Sequence, residues 1–383
     1  MSTYIHSIIT KYTQMAGSVL SLITSLIMIY MIAKYSRSDM GSYQRFFNLM
    51  MIIFVIYSVI GLITQPSSFT FESSYFLYST TTYFSRTTTT LLLVLSSCLS
   101  ITHLGLLAIQ SIYCYFAIVL PDRLGIFRSR RLTIWFLGLI IFFMTWFFLV
   151  KRFGNREVFD NGLRDAIFDE LEINITEVPY LLVQYTHKNE TSGEIRMDVL
   201  TTVSVSIMTI FAGFAISVLL FCVIRTYGSV EYADSTRASE RAQQLERQLL
   251  RTLLIQSIPM FISIYCGLRT WSLIRSSRAG KSAKTQKQEN QLFLALLIQF
   301  VIPFLCNTLP MLVVFLCPAL HFSTEPYTNY ICMLIPFYPV FDMISTVFII
   351  KDYYRGLMRT LGLWQYVQPS VAHVVTNSTS QLR

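Results

Sequence analysis

About twenty residues, Ile331 to Ile350, form an apolar run broken by a single charge, Asp342. At about 1.5 Å per helical residue such a run crosses a hydrocarbon core of roughly 30 Å. Pro336 and Pro339 fall inside it; neighbouring helices and waters satisfy the carbonyls that prolines free in membrane helices. A carboxylate at this depth costs roughly 2.5–3.5 kcal/mol on insertion scales, so a functional role is its default reading. Asp342, with Tyr338 and Pro339 one turn before it, is read as a switch or polar network, the alternative being a packing partner. The candidate donors on neighbouring spans are Asn48, Ser96, Ser97, Ser100 and His103. Pro339 would supply a kink that serves as a hinge.

The chain around this run is built the same way. It has 383 residues, 53% hydrophobic and 13% charged, with mean hydropathy +0.52. Soluble domains carry about 25% charge, so a polytopic membrane protein is expected. The run lengths predict helices, because barrel strands would alternate over about ten residues. The net charge of +9 is no nucleic-acid signal, since the basic residues lie mostly in short loops where they set orientation. Spans are expected over 17–33, 46–64, 90–120, 132–150, 199–224, 291–316 and 330–350. Lys34, Arg37 and Arg45 after the first span outweigh Lys11 before it. Arg123, Arg128, Arg130 and Arg131 follow the third. The N-terminus is therefore expected outside. Span three is polar for a membrane helix, which suits a helix surrounded by others.

Residues 151–197 form the longest polar segment and hold two glycosylation sequons, at Asn174 and Asn189, in a loop that charge counting already places outside. Residues 67–86 read as a second outer loop, aromatic and rich in Ser and Thr.

A tandem repeat interrupts this plan. Ser239 to Gln256 and Ser282 to Gln299 share nine of eighteen positions at an offset of 43. The repeat adds an apolar run, 249–273. If it crossed the membrane, the basic loop 274–290 would face outside against the charge rule. The expected architecture is therefore all-α: a seven-transmembrane helix bundle plus one supernumerary apolar segment that lies at the interface, re-enters or packs on the bundle edge. Eight true spans, and assembly from two alternative exons, stay open. The chain divides into 1–225 (N-terminus and spans one to five), 226–290 (duplicated insert), 291–355 (spans six and seven) and 356–383 (a cytoplasmic tail).

Three groups of residues carry a family likeness. They are Met40-Gly41-Ser42-Tyr43; Gln291-Leu292-Phe293 through Gln299 and Pro303; and Tyr338-Pro339-Val340-Phe341-Asp342 with Phe348 to Arg355. In these the chain resembles the nematode serpentine chemoreceptors of the Str type. The resemblance implies a G-protein-coupled receptor for small environmental molecules, at the plasma membrane of sensory neurons and in their cilia. The partners implied are a small-molecule ligand, a heterotrimeric G protein and membrane lipid. The family's third helix commonly ends in Tyr-Arg-Tyr; here the string is Tyr113-Cys114-Tyr115, which removes a cation from the inner mouth.

Candidate ligand contacts are His103 on span three, Asn307 and Thr308 on span six, and Tyr330 on span seven; a purely structural, helix-bonding role is the alternative for each. Tyr113, Tyr115, Arg123 and Lys351 are placed on the G-protein side. The five histidines are scattered, and the sequence contains no HExxH, GxSxG or phosphate-binding loop. The seven cysteines form no CxxC pair and show no metal-ligand spacing. Neither an enzyme, a metal site nor a cofactor is expected. A ligand-gated cation channel or a small-molecule transporter is the alternative to the receptor. It would call for several intramembrane charges or matched broken helices in two halves.

Overall fold

A computed structural model describes residues 2–35, 41–127, 129–155, 161–175, 177–188, 195–232, 301–302, 304–320, 322, 327–349 and 351–362. The duplicated insert beyond residue 232, the supernumerary run and the first part of span six lie outside the described residues, as does Asn189. Five long helices are α1 (Ser2–Tyr35), α2 (Gly41–Thr64), α3 (Arg86–Val119), α4 (Ser129–Lys151) and α6 (Val199–Tyr232). Span six continues from a π-helical turn, Phe304–Thr308, into α7 (Leu309–Ala319). Span seven is interrupted. It comprises α8 (Tyr327–Cys332), a 3-10 turn Ile335–Phe337, and α9 (Tyr338–Ile349), and leads into α10 (Lys351–Thr360). Among the described residues six helices are long and apolar enough to cross a membrane, and Leu305–Ala319 is a shorter apolar seventh.

The bend in span seven lies at residues 333–337, on the N-terminal side of Pro339. Pro339 itself sits in the first turn of α9, where a missing backbone N–H breaks no helical bond.

Helix α3 is the hub. In its most apolar window 61% is buried, against 17% for α4 and 28% for α6. Two of its polar side chains bond across to neighbouring helices, as the sequence implies, while the side chains of His103 and Gln110 are buried without a hydrogen-bond partner among the described residues. The Trp146 indole of α4 donates to Ser97 Oγ at 3.3 Å, and Ser100 donates to Asn307 Oδ1 at 2.9 Å. The outward faces stay greasy: Ile134, Leu137, Ile140 and Phe148 of α4 are exposed, as a lipid-facing helix requires.

Helix α1 carries a feature absent from the sequence reading. Thr10, Gln14, Ser18, Ser21 and Ser25 recur at helical spacing, and all five are buried. Small side chains let helices approach where lipid supplies no hydrophobic drive. A Cβ on Gly61 of α2 would lie 2.9 Å from Ser18 Oγ, and one on Gly17 would lie 3.0 Å from Pro336 and Phe337. Ser21 Oγ lies 2.7 Å from Ser58 Oγ of α2.

Among the described residues five strands cap one end of this helical bundle. β1 (Ser67–Phe71), β2 (Ser74–Tyr78) and β3 (Tyr180–Gln184) form an antiparallel sheet in the order β1-β2-β3. β4 (Thr186–Lys188) and β5 (Ile195–Met197) form a separate hairpin. The segment after α4 closes the β3 edge: Leu182 N–H donates to Phe153 O at 2.8 Å and Asn155 N–H to Tyr180 O at 3.0 Å. Successive strand residues point to opposite faces. Phe76, Tyr78, Tyr180 and Leu182 therefore meet Leu163, Ile167 and Leu171 of α5 (Asn161–Leu171) in one cluster. Tyr75, Leu181 and Val183 face the bundle in another. The cap is bonded to the spans beneath it. Thr70 and Thr328 hydroxyls meet at 2.9 Å, and Tyr185 OH donates to Phe315 O at 2.9 Å. Burial pushes the Tyr185 phenol up to about 12, so it keeps its donating proton at neutral pH. Asp198 caps α6 by accepting from the Leu200 and Thr201 amides at 3.1 Å.

Candidate functional site

A cavity of about 80 Å³ lies beneath the sheet. Tyr75, Leu77, Leu181 and Val183 roof it, with the α5 layer behind them. Its walls come from every span: Gln14 of α1, Tyr57 of α2, Ser96 and Ser100 of α3, Val150 of α4, Met208 of α6, Met311 and Phe315 of α7, and Cys332 of α8. No described residue in the lining carries a charge. The volume is about half the ~150 Å³ of an apolar cavity that binds benzene with room to spare, which limits a ligand to a few heavy atoms.

The residues singled out in the sequence distribute around this cavity and below it. Asn307 is buried; the π-helical turn presents it to Ser100, so it touches a cavity residue without lining the cavity. Thr308 ends that turn and is half-buried, and Tyr330 is 40% exposed near the start of span seven. Neither lines the cavity. His103 lies about one turn deeper than Ser100. Its ring packs 4.8 Å from Phe54 and 4.9 Å from Tyr338 by centroid.

Tyr338, His103 and Asp342 form the central polar cluster. Asp342 is fully buried on α9, one turn beyond Tyr338. Among the described residues neither carboxylate oxygen of Asp342, neither imidazole nitrogen of His103 nor the Tyr338 hydroxyl has a hydrogen-bond partner. The network expected around Asp342 does not form among the described residues. Ser100 bonds Asn307, Ser97 accepts from Trp146, and His103 engages its neighbours through its ring faces. Asn48 is half-buried, with no bond to Asp342.

At the opposite end of the bundle the 3-10 turn Pro121–Phe127 tucks Phe127 against Trp135, centroids 5.0 Å apart and nearly parallel. Tyr113 packs edge-on against Phe127 at 5.2 Å. Tyr115 approaches Phe221 of α6 at 6.2 Å, and Arg123 is exposed. Cys114, between the two tyrosines, is fully buried. Lys351 opens α10, whose Tyr353 stacks on Phe47 of α2 at 6.3 Å. The described residues contain no group of three or more His, Cys, Asp or Glu that converge as metal ligands.

Two parts of the site were missed in the sequence: the sheet and Gln14. Alternating aromatic and Ser/Thr residues over 67–78 were the available strand signal. The buried stripe of α1 was readable as polar residues three and four apart.

This architecture is a seven-transmembrane helix bundle. Squid rhodopsin superposes on it with a TM-score of 0.51 at 11% identity, covering 100% of this chain and 92% of the rhodopsin chain. The family follows from sequence. The profile of the serpentine type 7TM GPCR chemoreceptor family Str matches residues 10–262 and 257–358, and the chain belongs to that family. The two matches overlap at residues 257–262, inside the supernumerary run. G-protein coupled receptor str-33 of Caenorhabditis elegans is 21% identical over 337 residues, 87% of this chain and 85% of that protein. Serpentine receptor class r-10 of Caenorhabditis briggsae is 20% identical over 339 residues, with the same shares.

Proposed function

We propose that the chain is a chemosensory receptor of the plasma membrane, in sensory-neuron cilia, that binds a small environmental molecule in the cavity beneath the sheet and signals to a heterotrimeric G protein. The observation that carries this is the convergence of all seven spans on one uncharged cavity. A ligand there touches spans three, six and seven at once. It shifts the population toward whichever bundle arrangement binds it better. The opposite end, with Tyr113, Tyr115, Arg123 and Lys351, then opens toward the G protein.

Cells expressing the chain, screened with small volatile and water-soluble compounds against a second-messenger readout, test the proposal. The expected result is a response that disappears when G-protein coupling is blocked. A ligand-evoked current that persists without any G protein would instead assign the chain to the channel class.

In this reading the sheet end faces outside. Asn174 is exposed, its amide 3.0 Å from Glu177 Oε1, and is expected to carry a glycan, as is Asn189. Each Asn→Gln variant should lose one glycosidase-sensitive mobility shift. A glycan on Asn377 of the tail would sink the seven-span reading and support eight spans.

A further inference from the structure

We infer that Gln14 of α1 is the specificity-determining polar contact of the cavity, and that the ligand is a small uncharged molecule with a hydroxyl donor. This inference rests on the receptor reading above and deepens it.

Gln14 lines the cavity, is 6% exposed, and has an Oε1 without a hydrogen-bond partner among the described residues. The other polar lining groups are engaged or differ in kind. Ser97 accepts from Trp146 and Ser100 donates to Asn307, while Ser68, Ser96, Tyr57 and Tyr75 present hydroxyls, which donate as well as accept, rather than an amide oxygen. A buried amide oxygen left unpaired is costly, and a ligand that donates to it removes that cost. A ligand lacking the donor leaves the oxygen stranded, which is how a site built for a hydroxyl rejects its apolar analogue. The uncharged lining bars ions in the same way, because nothing there compensates a buried charge. Small volume sets the third limit. Gln14 also lies on the stripe that holds α1 against α2 and span seven, one turn before Ser18. A bond to it therefore joins α1 to whichever spans hold the rest of the ligand.

The test uses the purified full chain and its thermal melting with three probes of one carbon skeleton: butan-1-ol, butanone and sodium butanoate. In the unsubstituted chain butan-1-ol is expected to stabilise at the lowest concentration, butanone only at higher concentration, and butanoate not at all. Gln14→Leu should shift the butan-1-ol concentration dependence at least tenfold. Gln14→Met, which keeps the unbranched shape, should do the same and stands in if the Leu variant fails to fold. Equal butan-1-ol shifts in all three proteins, no shift in any, or preference for butanoate would each overturn the inference. Gln14-dependent stabilisation without any second-messenger response in cells would support the cavity assignment and sink the signalling reading. A cellular response indifferent to Gln14 would do the reverse.

Discussion

Asp342→Asn and Asp342→Leu are both expected to make the protein more resistant to heat and less responsive to ligand. The sequence alone points the other way, since a carboxylate held by serines and a histidine would be missed when removed. In the fold none of those groups bonds it: Trp146 engages Ser97, Asn307 engages Ser100, His103 packs by its ring, and both Asp342 oxygens are buried without a described partner. Burying a polar group without a bond costs about 1–3 kcal/mol, and more for a charged one. Leucine is similar in size and carries no polar atom, so it should stabilise more than asparagine, which still buries an amide. The carboxylate therefore raises the energy of the arrangement seen here and narrows the gap to any arrangement that lets it meet water or a donor. Removing it deepens this state, so a ligand must supply more binding energy to leave it. A gap deepened by about 1.4 kcal/mol would raise the half-maximal ligand concentration roughly tenfold. Melting of the purified variants and second-messenger dose curves measure the two halves. Lower melting temperatures for both variants would show that the carboxylate is bonded in the folded protein, and the switch role would fall with the argument.

Gly356→Ala is expected to detach α10 from the end of α1. A Cβ there would sit 2.5 Å from Tyr35 Cδ2, 2.7 Å from its Cγ and 2.8 Å from Met31 Cε. Contacts this short force movement, and overpacking of this kind costs about 1–3 kcal/mol. The Tyr35 ring has little room to yield, because its hydroxyl lies 3.2 Å from Thr360 Oγ1 at the far end of α10. Moving either group separates the helix from the bundle beside Tyr353 and Phe47. The expected results are a lower melting temperature and weaker signalling in Gly356→Ala, with both restored largely by adding Tyr35→Ala. Tyr35→Ala alone should cost less than Gly356→Ala alone. Simple additivity in this double-mutant cycle would show that the clash is absent.

The membrane spans were legible in the sequence because lipid imposes a local rule. A backbone in hydrocarbon must bond within its own segment, so a long apolar run declares a helix wherever its neighbours lie. Span three read as the surrounded helix because its polar residues need protein partners, and it is the most buried of the long helices. The likeness to serpentine receptors was carried by the residues from Tyr338 to Arg355, again a continuous stretch.

What the local rule could not reach was decided by tertiary structure. The cap joins the β1-β2 hairpin of residues 67–78 to residues 180–184, and the third strand has no sheet to join until the fold brings that distant segment alongside, because strand bonds run between segments. Asp342 could be recognised as costly from its depth. Whether Ser97 and Ser100 would bond it depended on Trp146 and Asn307, which engage them from other helices, and His103 is seated by ring contacts with Phe54 and Tyr338 that leave its nitrogens without a bond to the carboxylate. Gln14 falls before the first span as expected from the sequence, 17–33. Only the seating of α1, set by Gly17 against Pro336 and Ser18 against Gly61, turns it into the cavity. A run of residues determines which segments enter the membrane; which polar atoms there remain without a partner is a property of the packed bundle, because hydrogen bonds between helices are allotted only when the helices meet.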